Sequence, residues 1–288
     1  MVAVTESSQL IVEPAVYEDR HHLANLIHFG SHVHRHLDWR PPLDWLGQSP
    51  YLIARDGGEI VGALASPPDP PNVAWIRLFA TSRGVSAMSV WMQLWAEARL
   101  WLQDLANLPK VAAIPLHDWF AKLLKASQFT SDHEVVVLSW NHRERPAAKR
   151  SSSLNLRPML LDDIPGIEMV DSAAFGGVWQ NSQSCLEIAF RQSTLATVAE
   201  ENGRLLGYQI STATQMGGHL ARLAVLPEFQ GTGVGYALLD DMLKQCERRG
   251  LHTVTVNTQS DNRVSLSLYQ KAGFRLTGEE YPVFEFNI

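Results

Sequence analysis

Residues 225–235 read Val-Leu-Pro-Glu-Phe-Gln-Gly-Thr-Gly-Val-Gly, between the apolar run Leu223-Ala224-Val225 and an amphipathic stretch at 236–249. A strand, then small residues, then a helix start restricts the chain to folds that gather backbone donors around an anion. The glycines let the main chain approach a phosphate closely, and the first helical turn points its free N–H groups there with the helix dipole behind them.

The better-known phosphate loops do not fit this run. No Lys follows any of its glycines, as a nucleotide-triphosphate loop requires. Gly231 and Gly233 are followed by Tyr236 where a dinucleotide fingerprint needs a third glycine. The pattern that fits is Gln/Arg-x-x-Gly-x-Gly/Ala, met by Gln230, Gly233 and Gly235. A second motif follows, Asn262-Arg263-Val264-Ser265-Leu266-Ser267-Leu268-Tyr269-Gln270-Lys271-Ala272-Gly273-Phe274. Asn262 is placed to cap a helix and Gly273 to end it in a left-handed conformation.

Together these motifs resemble the GNAT acyltransferases over about 130 residues, with Ser265 standing where a small apolar residue is more usual. The resemblance implies acetyl-CoA as cosubstrate and no metal. It implies that Leu223, Ala224 and Val225 pair with the pantetheine arm. Gln230, Gly231, Thr232, Gly233, Val234, Gly235 and Tyr236 then hold the pyrophosphate, and Asn262 meets the cofactor. It further implies that the Val225 N–H polarises the acyl carbonyl and that Tyr269 protonates the departing sulfur, a role open to a phenol of pKa about 10. A packing role for Tyr269 is the alternative.

The fold class is α/β with a mixed sheet, in two tandem GNAT-like domains, each a mostly antiparallel mixed sheet flanked by helices. Two copies follow from an internal repeat at an offset of about 145 residues. Leu10-Ile11-Val12-Glu13-Pro14 aligns with Leu154-Asn155-Leu156-Arg157-Pro158, and the stretch 54–62 with 199–207, each ending in glycine. Arg77-Leu78 aligns with Arg222-Leu223, and Lys125-Ala126 with Lys271-Ala272. The expected division is 1–140, a linker at 141–153, and 154–288. The linker's Arg143, Arg145, Lys149 and Arg150 read as solvated charges.

In the second copy the expected strands lie near 154–157, 195–200, 204–214, 219–225, 253–257, 274–277 and 283–286, the last two as an antiparallel pair. Helices are expected near 161–174, 182–192, 234–249 and 263–272. The first copy carries a meander at 51–79, broken by a turn at 66–72. It keeps one glycine, Gly84, after its Arg-Leu strand, and has Leu123 in place of Tyr269 and Pro115 in place of Asn257. It should therefore neither bind the cofactor nor react. Its helix at 85–105 is apolar on more than one stripe and reads as buried on more than one side, in a thick core, between domains or in a homodimer. The layout resembles the mycothiol synthases.

The net charge of −6 disfavours nucleic-acid and anionic-membrane partners. Two cysteines, Cys185 and Cys246, lack metal-ligand spacing and read as reduced thiols of a cytoplasmic protein. Six histidines between His21 and His36 read as surface or loop groups rather than metal ligands. The function read from all this is acyl-CoA-dependent N-acylation of a small-molecule or peptide amine by direct attack. A CoA-binding sensor without turnover is the alternative. His219 is the expected base, although a histidine on a strand is more often structural; Glu200, Glu201 and Asn257 are weaker options. The acceptor is expected over the loop 175–180, where Phe175 and Trp179 offer apolar surface.

Overall fold

The computed structural model describes residues 10–141, 145–148 and 153–288. In chain order its main elements are β1 (Ile11–Pro14), α1 (Arg20–Phe29), β2 (His32–Arg35), β3 (Tyr51–Asp56), β4 (Glu59–Ala65), β5 (Val73–Trp75), β6 (Leu78–Thr81), α2 (Ala87–Gln103), β7 (Lys110–Ala113), α3 (Asp118–Ala126) and β8 (Thr130–Asn141). There follow β9 (Asn155–Pro158), α4 (Ile164–Ala174), α5 (Gln183–Gln192), β10 (Leu195–Glu201), β11 (Arg204–Thr214), β12 (Gly217–Val225), α6 (Val234–Arg248), β13 (Thr253–Gln259), α7 (Arg263–Lys271) and β14 (Arg275–Asn287).

The chain divides into two compact units, 1–131 with 283–288, and 132–282. This division departs from the boundary expected from the repeat, because the strand ending each repeat joins the other unit. Strand β8 pairs antiparallel with β13 from Thr253↔Asn141 to Gln259↔Val135, and the chain's last residues pair with β7 from Phe284↔Ala113 to Asn287↔Lys110. The expected hairpin at 274–286 is accordingly absent. Strand β14 runs straight through Gly278 as one strand, since each of its ends has its own partner.

In the first unit one antiparallel sheet has the order β1-β3-β4-β6-β2. Strand β5 pairs in parallel with β7. Helix α2 covers one face of this unit with Val90, Trp91, Leu94, Trp95, Ala98 and Leu102, all buried, while Met88 and Met92 are exposed. The helix is therefore buried along one stripe rather than on several sides. Gly62 lies beneath it: a Cβ there would stand 2.2 Å from Val90 Cγ1, so only glycine lets α2 pack this close.

In the second unit the strand order is β9-β10-β11-β12-β13-β8-β14. Helix α6 carries Val234, Leu238, Leu239, Met242, Leu243 and Cys246 at helical spacing, and all six are buried. Beside it Arg145 is no solvated linker charge. Its Nε donates to Asp240 Oδ1 at 2.9 Å and its Nη1 to Glu247 Oε1 at 2.7 Å, with only 8% of the side chain exposed. Arg143, Lys149 and Arg150 lie outside the described residues. No helix among the described residues is long and apolar enough to cross a membrane.

Candidate active site

Strand β12 is paired differently along its two halves. Gly218–Leu220 lie parallel to Val254–Val256 of β13, but the ladder stops at Leu220. On the other side β11 pairs along the whole length, with a register shift that leaves Ala221 without a counterpart. Such a bulge bends the strand and raises its twist, which turns 222–225 away from β13. Leu226 N donates to Leu206 O on the β11 side. Alternation along an extended strand then points the N–H groups of Leu223 and Val225 to the opposite side, where no strand pairs with them among the described residues.

The glycine run follows directly. Gly231 and Gly233 have positive φ (75° and 101°), and a Cβ at either would meet nothing within 4 Å, so their outer surface is open. Gly233 is the N-cap of α6, whose first N–H groups lack intrahelical acceptors. Gly235 sits close to the strand: its Cβ would lie 3.5 Å from Val225 Cγ2 and 3.6 Å from Leu268 Cδ2. Side chains in the run hold the loop rather than project from it. Gln230 Nε2 donates to Val225 O (3.1 Å), Thr232 Oγ1 to Phe229 O (2.6 Å) and Tyr236 Oη to Pro146 O (2.6 Å), while Val234 is buried. Anion contacts from these positions must come from the main chain. Asn262 caps α7, its Oδ1 accepting from Ser265 N at 3.0 Å while its Nδ2 donates to Gln259.

Tyr269 on α7 is buried in the cluster that includes Leu220, with Leu223 packed against it. Burial pushes its phenol pKa well up, and the nearby Arg222 only partly offsets this, so the group stays protonated at neutral pH. Its hydroxyl has no hydrogen-bond partner among the described residues.

His219 lies opposite Thr212 and Thr255 in the paired half of β12, with Nδ1 2.9 Å from Thr255 Oγ1, and burial lowers its pKa. Leu223, Val225, the glycine run and Tyr269 lie together, and His219 stands four residues before Leu223, next to Leu220 of the cluster that contains Tyr269. Glu200 is held by Asn155 and Arg157, and Glu201 by Ser153.

One constellation has no counterpart among the expected site residues. Asp171 of α4, fully buried, accepts from Tyr208 Oη, from Arg222 Nε and Nη2 (both 2.8 Å), and from Asn181 N (3.1 Å). Arg222 also donates to Trp179 O (2.6 Å) and lies 3.6 Å from the centroid of Phe175. The loop 175–181 is thus tied to the residue preceding Leu223. Three residues from separate elements leave no local sequence signal; only the Arg77/Arg222 repeat hinted at it.

Residues 167–284 match the family model described as an acetyltransferase (GNAT) domain. The chain is 30% identical over 74 residues to the ribosomal protein bS18-alanine N-acetyltransferase of Escherichia coli, covering 26% of this chain and 50% of that protein. It is 37% identical over 81 residues to the mycothiol acetyltransferase of an Arthrobacter species, covering 26% of this chain and 25% of that one. The chain thus spans half or less of the length of these curated relatives. Among solved structures, a tandem GNAT protein from the clavulanic acid biosynthesis pathway has a TM-score of 0.62 at 16% identity, covering 97% of this chain and 98% of its own. A GCN5-related N-acetyltransferase from Sphaerobacter thermophilus has a TM-score of 0.61 at 16% identity, covering 96% and 95%. At such identities the likeness is one of fold. The likeness in sequence lies in residues 167–284, most of the second unit, which match the GNAT acetyltransferase domain.

Proposed function

We propose that the second unit transfers an acetyl group from acetyl-CoA to a primary amine of a small molecule or peptide. One observation carries the reading: the N–H groups of Leu223 and Val225 face an unpaired strand edge that runs into the Gly233 cap of α6. An extended amide-bearing arm can add to that edge as a further strand, with its diphosphate on the helix N-terminus. The related enzymes are a ribosomal protein bS18-alanine N-acetyltransferase and a mycothiol acetyltransferase, and the N-acetylation named in the first supports an amine acceptor without fixing one.

In the reaction the amine nitrogen bonds to the acyl carbon and the carbon–sulfur bond breaks. The Val225 N–H stabilises the oxyanion as charge develops. The Tyr269 phenol gives its proton to the leaving thiolate and recovers one from solvent. The amine is neutral when it attacks, its proton going to solvent or to His219 on the paired half of β12. Neither cysteine serves as a covalent relay. Cys246 is buried and its thiol pKa is raised by that burial, and Cys185 is half-buried on α5, an element apart from the β12 edge and the glycine run. Two cysteines outside any disulfide also favour a reducing, cytoplasmic setting.

The test is release of free CoA thiol from acetyl-CoA against a panel of small primary amines and peptide N-termini. Amine-dependent release with an acetylated product supports the reading. Tight CoA binding without release for any amine would favour a sensor instead.

A further inference from the structure

The first unit contains the same strand arrangement with one addition. Val73–Trp75 of β5 pair in parallel with Lys110–Ala112 of β7, as Gly218–Leu220 pair with β13 in the second unit. The continuation β6 pairs with β4 on one side, Gly62 lying opposite Thr81 as Gly207 lies opposite Val225. Phe79, Ala80 and Thr81 therefore occupy the positions of Leu223, Ala224 and Val225. The ladder corrects the Arg77-Leu78/Arg222-Leu223 alignment by one residue: two residues, Ile76 and Arg77, lie between the parallel and antiparallel ladders of the first unit, and only Ala221 does so in the second.

Ser82 N donates to Val61 O on the β4 side, so alternation turns the N–H groups of Thr81 and Phe79 the other way. In the second unit that edge is open. In the first, β2 lies along it, with His32 opposite Thr81, Val33 opposite Ala80, His34 opposite Phe79 and Arg35 opposite Leu78. His36 N donating to Arg77 O at 3.1 Å continues the ladder.

We infer that β2 is a built-in occupant of the first unit's cofactor edge, standing where the second unit leaves room for a pantetheine arm. The part of the inference that concerns pantetheine rests on the function proposed above. Strand β2 is fixed on both sides of its ladder rather than laid over it. His34 is 4% exposed, stacks on Phe120 at 4.0 Å and donates from Nε2 to Ile76 O at 3.2 Å. His36 stacks on Trp75 at 4.5 Å, and His32 meets Trp119 edge-on at 5.0 Å. These histidines correct the reading of the whole 21–36 group as surface or loop. The first unit is closed to acyl-CoA by a strand of its own as well as by its missing glycines.

Residue-resolved hydrogen exchange on the whole chain, with and without CoA, tests this. The Phe79 and Thr81 amides should exchange as slowly as Ala80, which faces β4, and CoA should leave all three unchanged. The Leu223 and Val225 amides should exchange at least about tenfold faster than Ala224 and slow on CoA addition. CoA-dependent slowing at Phe79 and Thr81, or fast exchange there in the free chain, overturns the inference. Slow Phe79 and Thr81 with no response at Leu223 and Val225 upholds the closed edge and sinks the acyl-CoA reading of the second unit.

Discussion

Strands β6 and β12 are two versions of one strand with the same neighbours on one side. They differ in what lies on the other: β2 against Phe79 and Thr81, nothing against Leu223 and Val225 among the described residues. A backbone edge binds whatever can complete its ladder, and an intramolecular strand does so at high effective concentration. A copy of this fold can thus lose its ligand by gaining a partner. That Leu123 stands in place of Tyr269, the proposed proton donor, then has no further consequence.

The largest effect expected is at the phosphate loop. Gly233→Asp puts an L-residue at φ 101° and a carboxylate where the diphosphate is proposed to lie. CoA affinity should fall at least about a hundredfold by calorimetry, roughly 3 kcal/mol. Gly84, also at positive φ (85°), offers the matched control, and Gly84→Asp should leave CoA affinity unchanged. Equal losses from both would break the asymmetry between the units.

Comparable in size is the loss of an Arg–Asp pair that each unit carries, at positions one residue apart in the ladders. Arg222 pairs with buried Asp171 against Phe175, and Arg77 pairs with Asp38 at 2.6 Å against Trp45. Its presence in the closed unit points to holding the fold rather than to chemistry. Asp171→Asn and Asp38→Asn should each cost about 3–5 kcal/mol in urea unfolding by leaving a buried guanidinium short of its counter-charge. A stable Asp171→Asn with lost turnover would move that cluster into the reaction.

Tyr269→Phe belongs to the second unit alone. The lost hydroxyl has no protein partner among the described residues, so packing and CoA affinity should hold. Turnover should fall about ten- to a thousandfold under conditions where chemistry limits the rate. Unchanged turnover would remove Tyr269 from the mechanism.

These expectations rest on features of unequal legibility. The glycine run, the Asn262 cap and the helices of the second unit were readable because turn chemistry and helical periodicity are local. Strand β2 was not: His-Val-His-Arg carries no apolar alternation of its own, and its partners lie more than forty residues away. The stretches 274–277 and 283–286 read as an antiparallel pair because nothing in the sequence shows that β14 finds a separate partner at each end. The bulge at Ala221 leaves no mark either, and nor does the extra residue at Ile76–Arg77 that displaces the repeat by one. Arg145 sat in a polar, Pro-rich stretch, yet its partners Asp240 and Glu247 are about a hundred residues on.

The smallest effect concerns β2 itself. Burial holds His34 neutral down to about pH 3, with the Ile76 carbonyl opposing and His117 adding to that shift, whereas an unfolded histidine titrates near 6.5. Below about pH 6.5 the unfolded chain binds a proton that the folded unit refuses. Its stability should therefore fall as pH drops from 6.5 towards 3, by up to about 1.4 kcal/mol per pH unit, and be insensitive to this group above 6.5. His36 acts in the same direction. Urea unfolding at pH 7 and pH 5 should show a smaller difference for His34→Phe than for the unaltered chain, and an equal difference would remove His34 as the cause.

The central claim is that each chain offers one open strand edge to CoA, on β12. Calorimetric titration of the whole chain with acetyl-CoA measures this directly. One site per chain, lost in Gly233→Asp, is the result expected. Two sites per chain, or one site that survives Gly233→Asp, would contradict it.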